Sequence, residues 1–192
     1  MRHFWFHSLL LSFLAFLVFA VGTANGGVLF SSLPRTLQID ARIQSLNATT
    51  GVAKAGVDEL RILWGLDTTL DPSVDDNYVD VKLGFCYAPE SQKDRPWRKN
   101  HDDLHKDKTC QVEISAYSWY AADGLPLVWS LGKDVPGGSY FVRIYALDAD
   151  GKELAYGQTT DRNKSTNLIT SPDAGGSYFP TDCPSIWYAG FF

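Results

Sequence analysis

Short runs in which apolar and polar residues alternate are the feature that most restricts the fold of this chain. The clearest run is 79–87, where the apolar side chains fall on one face and the charged side chains and Gly84 fall on the other. Because successive side chains of a β-strand point to opposite sides, this period of two predicts a strand with one buried face. Further runs of this kind predict strands at 37–42, 60–64, 111–117, 127–131, 140–147 and 153–158.

Turn signals separate these runs at Asp123-Gly124, at the Pro-Gly-Gly sequence of 136–138 and at 148–151. Seven or so short strands joined by frequent turns predict an all-β protein with an immunoglobulin-like β-sandwich. A true immunoglobulin domain joins its two sheets with a disulfide beside a buried tryptophan, whereas two cysteines here bracket a loop. We therefore expect Trp64 and Trp129 to be ordinary core residues.

Cys86 and Cys110 bracket the most densely charged stretch of the chain, between two predicted strands. If they pair, the disulfide closes a loop of about 25 residues and contributes roughly 3.5 kcal/mol of stability in the chain-entropy model. Helical character is expected within this loop at 97–106. The sequence thus predicts a disulfide-pinned loop containing a short helix, and loops held on a rigid scaffold often carry binding or catalysis.

Residues 1–24 have the organisation of a secretory signal peptide, with Arg2 in a short basic region, then an apolar run, then small residues up to Ala24. Cleavage after Ala24 is expected. A retained signal anchor is the competing interpretation, because the apolar run approaches the length of a spanning helix. Export would place the cysteines in an oxidising compartment. It would also make the sequons at Asn47 and Asn163 candidate glycosylation sites, although isolated sequons also occur as ordinary polar turns.

Charge and motif content exclude several functions. The net charge is −5 and the two signs are interspersed, so no nucleic-acid-binding surface is predicted. His101 and His105 come close to the H-E-x-x-H zinc signature, but Asp102 replaces its glutamate and no third ligand is evident nearby. Other catalytic signatures are absent. We therefore expect no metal site, no cofactor and no enzyme activity, and we place the histidines on a solvated helical turn of one β-sandwich domain at 25–168.

A family resemblance appears in the same loop. The motif C-Y-A-P-x-S-Q-x-D-R-x-W-R-K at 86–99, followed by matches at 102–104 and 106–111, resembles the plant high-affinity nitrate transport accessory proteins. Further matches extend the resemblance to Leu168, at 134–136, 141–143, 145–149 and 157–161. The resemblance implies a non-catalytic subunit that binds a polytopic high-affinity nitrate transporter. It also implies that this subunit is needed for the transporter's plasma-membrane delivery and high-affinity uptake.

The resemblance also implies which residues bind the partner. In that family the charged central loop contacts the transporter, which assigns partner binding to Arg98 and Asp107, with Trp97, Arg95 and Lys99 beside them. The planar guanidinium of Arg98 suits a carboxylate or an aromatic face, and Trp97 is a candidate hot spot if it is exposed. The alternative is that Arg98 and Asp107 pair within the loop or simply face solvent.

The carboxyl-terminal part departs from the family pattern. Members end in a transmembrane helix and a basic tail, whereas 169–192 is an atypical tail whose apolar ending at 186–192 is too short to span a bilayer. Cys183 is expected to pair between chains or to remain a free thiol. The sequence therefore predicts either attachment to the plasma membrane on its apoplastic face, through the partner or a retained anchor, or a secreted variant with weak or decoy binding. A secreted enzyme using His101 and His105 is the remote alternative, and homo-oligomerisation stays open.

Overall fold

The computed structural model describes residues 27–44, 51–119 and 126–172. These residues form eight strands, one short α-helix (α1, Pro89–Gln92) and three 3-10 turns at Phe30–Ser32, Pro72–Asp75 and Pro96–Arg98. The strands are β1 (Leu37–Gln44), β2 (Glu59–Leu66), β3 (Asp80–Tyr87), β4 (Val112–Ser118), β5 (Leu127–Ser130), β6 (Gly138–Leu147), β7 (Glu153–Gln158) and β8 (Ile169–Ser171).

The strands form two antiparallel sheets. One sheet has the order β1-β2-β5, and the other has the order β4-β3-β6-β7, with β8 also pairing with β6. Strand β6 is central, because β3 lies along one side of it while β7 and β8 share the other side. This arrangement confirms the predicted immunoglobulin-like sandwich, in which two sheets bury their inner faces against each other.

The core lies between the sheets and contains the apolar residues that the alternating pattern selects. Leu60 and Ile62 of β2 have no exposed surface, and neither do Val81, Leu83 and Phe85 of β3. Trp64 and Trp129 pack against this core, as predicted. Each fully buried aliphatic or aromatic side chain of this kind contributes about 1.5–3 kcal/mol by leaving water, so the packed sandwich provides a rigid base for its loops.

Three expectations about the strands need correction. The first is Val79, which was expected on the inner face but is 40% exposed, because β3 begins one residue later. The second is Gly84, assigned to the half-exposed face of its strand, which is buried. The third is β8, because residues 169–171 were assigned to the tail but form a short strand that pairs with β6.

The predicted helix at 97–106 is also wrong in its position. The loop contains a short helix, but it is α1 at Pro89–Gln92, followed by the 3-10 turn Pro96–Arg98. Beyond it, Asp103 donates its backbone N–H to Nδ1 of His101, and the carboxylate of Asp103 accepts the N–H of His105. Such local bonds from side chains to the backbone compete with helical hydrogen bonds, and they replace the helix with turns.

Several predictions fall outside the described residues. These are the signal peptide at 1–24, Asn47, the turn at Asp123-Gly124 and the tail from residue 173 onward with Cys183. Within the described ranges, none of the helices has the length and apolar character needed to cross a bilayer.

Candidate functional site

A disulfide fixes the two ends of the charged loop to the outer face of the five-stranded sheet. It joins Cys86 in β3 to Cys110, two residues before β4 begins, as predicted. Gly84 makes room for it, because a Cβ atom there would lie 3.1 Å from Cβ of Cys110. We call residues 87–109 the pinned loop.

The first part of the pinned loop is tied to the start of β6. The hydroxyl of Ser91 donates to the carbonyl of Ser139 (3.1 Å) and accepts the backbone N–H of Ser139 (2.6 Å). The side-chain amide of Gln92 donates to the carbonyl of Tyr87 (2.8 Å). These bonds hold α1 against the sheet, so the loop continues from a fixed point into the 3-10 turn that carries Trp97 and Arg98.

Arg98 points into the protein. The residue is 8% exposed, and its guanidinium carbon lies 4.1 Å from the centre of the Tyr87 ring. Nη1 also lies 3.4 Å from the carbonyl oxygens of Ser91 and Gly137, and Nε is buried without a hydrogen-bond partner. The arginine therefore joins the turn before β6 to the end of β3 through a cation–π contact and two long hydrogen bonds.

Asp107 is also directed inward, and its side chain is 6% exposed. Oδ1 accepts the backbone N–H of His101 (3.2 Å), the backbone N–H of Thr109 (3.1 Å) and the hydroxyl of Thr109 (2.6 Å). Oδ2 lies 3.9 Å from Nη1 of Arg143. The carboxylate thus connects two parts of the pinned loop with each other and with the sheet.

Arg143 is a functional candidate that the sequence analysis missed. It lies in the middle of β6 on the outer face of the sheet and has no exposed surface. Nε and Nη2 donate to Oε1 of Gln158 (3.3 and 3.1 Å), and Nη1 donates to the hydroxyl of Tyr145 (3.1 Å). The guanidinium carbon lies 4.2 Å from the centre of the Phe30 ring. An arginine within the apolar run of β6 was the signal available in the sequence.

Two neighbouring groups show the effect of this buried charge cluster on titration. Burial raises the pKa of Tyr145, and the Asp107 carboxylate adds to the increase while Arg143 opposes it. Burial lowers the pKa of Lys164, and the positive charge of Arg143 lowers it further while Asp107 opposes the shift. Burial is thus the main cause of both pKa shifts, and the charge of Arg143 contributes to each of them.

The segment that precedes β1 covers the cluster. In this strap, residues 27–34, the backbone N–H of Phe30 donates to the carbonyl of Asp102 (2.7 Å), and the carbonyl of Val28 accepts the N–H of Leu104 (3.0 Å). The backbone N–H and hydroxyl of Ser31 both donate to the carboxylate of Asp102 (2.7 Å each). The strap therefore pairs with the pinned loop directly above Arg143.

Three predicted contact residues remain at the surface. Trp97 is 59% exposed, and Arg95 and Lys99 on either side of it are exposed as well. Two hydrogen bonds fix the backbone of this segment. The Gln111 side chain donates to the Trp97 carbonyl, and the N–H of Lys108 donates to the Lys99 carbonyl (3.0 Å). We call Arg95, Trp97 and Lys99 the Trp97 surface. It combines a large aromatic side chain with two positive charges on a fixed backbone.

The two histidines do not form the arrangement expected of a zinc motif. Both are exposed and lie in turns rather than on one helical face, and Nδ1 of His101 already accepts a backbone N–H. Among the described residues, no group of three or more potential ligands is placed to hold a metal ion. Of the two predicted glycosylation sites, Asn163 lies within the described ranges. It is exposed in the turn after β7.

Comparisons with known proteins agree on one family. A family model described as NAR2, high-affinity nitrate transporter accessory, Ig-like domain, matches residues 30–173. The chain is 36% identical over 190 residues to "High-affinity nitrate transporter 3.2" of Arabidopsis thaliana, covering 96% of this chain and 88% of that protein.

Two further relatives align over shorter stretches. One is "High-affinity nitrate transporter 3.1" of Arabidopsis thaliana, 44% identical over 140 residues, which are 73% of this chain and 66% of the relative. The other is "High-affinity nitrate transporter-activating protein 2.1" of Oryza sativa subsp. japonica, 39% identical over 137 residues, or 71% and 64% of the two chains. No solved structure matches.

Proposed function

This chain belongs to the NAR2 family of high-affinity nitrate transporter accessory proteins, and from that premise we propose that it binds a high-affinity nitrate transporter and activates it. One relative is named as an activating protein of such a transporter, which supports the proposal. The function is that of a partner subunit and not of an enzyme. It includes delivery of the transporter to the plasma membrane and support of high-affinity nitrate uptake.

The exposure of Trp97 is the main observation that supports the proposed contact site for the transporter. Tryptophan and arginine are the residues most often found at the energetic centre of protein interfaces, where a large rigid side chain fills a pocket in the partner. Trp97 is 59% exposed on a loop fixed by a disulfide and by backbone hydrogen bonds. A loop ordered before binding loses less conformational entropy on association. We therefore propose that the Trp97 surface contacts the transporter.

The charge of the Trp97 surface defines the complementary part of the partner. Arg95 and Lys99 are exposed and positively charged, although the chain as a whole carries a net charge of −5. A partner surface with acidic or aromatic side chains fits them best, because guanidinium groups bind carboxylates and stack on rings. Arg98 and Asp107 are buried, and this burial supports a role in holding the loop rather than in contacting the partner.

We also propose how the chain reaches its partner. Residues 1–24 direct it into the secretory pathway, where Asn47 and Asn163 carry glycans and the β-sandwich lies on the apoplastic side of the plasma membrane. Association with the membrane depends on the transporter or on a retained amino-terminal anchor. The exposure of Asn163 in a turn supports its assignment, because a glycan needs an accessible acceptor.

The proposal is tested by producing the full chain together with a plant high-affinity nitrate transporter in cells that lack nitrate uptake. Co-purification from the membrane and nitrate uptake are measured for the wild type, for Trp97→Ala and for Val128→Ala. Val128 is a matched control, since it is 47% exposed on the other sheet.

We expect the wild type and Val128→Ala to bind and to support uptake. Trp97→Ala should bind about 30-fold more weakly, the equivalent of about 2 kcal/mol for a hot-spot residue. Equal binding by Trp97→Ala and Val128→Ala would contradict the proposed contact site. Folded wild-type protein in the medium with no binding to the transporter would contradict the proposed function and favour the secreted variant.

A further inference from the structure

We propose that Arg143 and Asp107 are positioning residues, which hold the pinned loop on the sheet so that the Trp97 surface is presented to the transporter. On this inference, which rests on the proposed function, Asp107 acts through Arg143 and does not touch the partner. The pair joins the middle of β6 to the last turn of the pinned loop, with 3.9 Å between Nη1 and Oδ2. Both side chains are almost completely removed from water.

Arg143 requires a negative charge in this place. A guanidinium group buried at 0% exposure loses its hydration, and this loss must be offset by paired charges and hydrogen bonds. Gln158 and Tyr145 supply acceptors but no charge, and Phe30 supplies an aromatic face. The nearby Lys164 has the same sign as Arg143 and opposes it. Asp107 is the carboxylate that forms an ion pair with the guanidinium.

Asp107 also connects the ion pair to the backbone of the pinned loop. Through Oδ1 it joins the backbone of His101 to that of Thr109, so it closes the part of the loop that follows Lys99. The next residue, Lys108, donates its N–H to the Lys99 carbonyl (3.0 Å). The backbone that supports Trp97 and Lys99 is therefore attached, within a few residues, to the ion pair beneath it.

The strap adds a third segment to the same point. The Phe30 ring lies over Arg143, and its centre is 4.6 Å from the centre of the Tyr156 ring. The backbone N–H of Phe30 donates to the carbonyl of Asp102 in the pinned loop. Three segments that are distant in sequence thus meet at one guanidinium group. Removing its charge or its counter-charge is expected to loosen the pinned loop and the strap together.

The test uses the neutral variants Asp107→Asn and Arg143→Gln, singly and together, in the full chain produced with the transporter. Asp40→Asn and Arg42→Gln are matched controls, because this pair is bonded at 2.7 Å but its side chains are 54% and 80% exposed. Transporter affinity is measured by titration, and amide hydrogen exchange of residues 87–109 is measured on the purified chain. Arg143→Met, which is also neutral, replaces Arg143→Gln if the latter yields too little folded protein.

We expect each single variant to weaken transporter binding about tenfold or more and to speed hydrogen exchange in the pinned loop, since each leaves one buried charge unpaired. The double variant should recover part of both losses, because it leaves neither buried charge unpaired. The control variants should match the wild type in both measurements. Trp97→Ala should lose binding while its loop exchanges as in the wild type.

A direct contact between Asp107 and the transporter would give a different result. Asp107→Asn would then lose binding with unchanged loop exchange, Arg143→Gln would bind normally, and the double variant would show no recovery. Any of these results overturns the inference. If the wild type itself fails to bind, the proposed function fails, and loop exchange in the same variants still shows whether the ion pair positions the loop.

Discussion

Replacing Arg98 is the sharpest test of the buried side of the pinned loop. A charged residue next to an exposed tryptophan in a polar stretch is normally solvated, and its loss then changes stability by less than about 0.5 kcal/mol. Here the guanidinium lies 4.1 Å from the centre of the Tyr87 ring and is covered by the loop. Arg98→Ala should therefore destabilise the fold in addition to any effect on binding.

The magnitude follows from the contacts. A desolvated cation–π contact contributes about 2 kcal/mol. The two hydrogen bonds to the carbonyls of Ser91 and Gly137 are 3.4 Å long, at the outer limit for such bonds, so each adds only about 0.5 kcal/mol. We expect Arg98→Ala to lower the free energy of unfolding by about 2–3 kcal/mol. For a domain of this size, the melting temperature should fall by about 5–10 °C.

Urea unfolding of the purified chain measures this difference, with Arg95→Ala as the control because Arg95 is exposed. Tyr87→Leu and the double variant with Arg98→Ala complete a cycle that isolates the contact between the two side chains. The reasoning is refuted if Arg98→Ala and Arg95→Ala unfold at the same urea concentration. A coupling energy near zero between Arg98 and Tyr87 would also refute it.

Two further predictions concern the disulfide and the response to pH. Cys86→Ser should lower the free energy of unfolding by roughly 3.5 kcal/mol and weaken transporter binding, because it releases one end of the pinned loop. Wild-type protein unfolded in urea with a reductant should show the same loss, and an unchanged unfolding curve would contradict it. Burial raises the pKa of Tyr145 above its ordinary value of 10.0, so the unfolded state loses this proton first as pH rises. Stability should therefore fall as pH increases above about 10, and Tyr145→Phe should lessen this fall in urea midpoints measured at several alkaline pH values; equal pH slopes for the two proteins would argue against it.

The alternating pattern located strands in both sheets, including β3 and β6, but it did not predict which strands are buried on both faces. The alternating residues of β1 and β2 gave their approximate positions, because the outer face of β1 is exposed and that of β2 is at least partly exposed. In β3 and β6 nearly every residue near the disulfide is buried, since the pinned loop and the strap cover the outer face. An alternating pattern is typical of a strand with one buried face. It therefore did not predict that the pinned loop and the strap cover the outer face of β3 and β6.

Within the site, the sequence predicted the disulfide but not the direction of each side chain in the loop. Trp97 and Arg98 are neighbours, and hydrophobicity alone would bury the tryptophan and expose the arginine. The structure has the opposite arrangement, with Trp97 at 59% and Arg98 at 8% exposure. One partner of Arg98, the Gly137 carbonyl, lies 39 residues away in the chain. Such tertiary partners decide which residue is buried, and local composition does not report them.

The opposite directions of Trp97 and Arg98 have a single structural origin, the 3-10 turn Pro96–Arg98. Proline fixes the backbone at the first position of the turn, and neighbouring residues in such a turn project about 120° apart around its axis. Burying Arg98 against Tyr87 therefore turns Trp97 outward. The β-sandwich holds the guanidinium group of Arg98 in place. The buried arginine in turn fixes the outward direction of Trp97. A loop fixed in this way is ordered before it meets a partner, which reduces the entropy lost on binding.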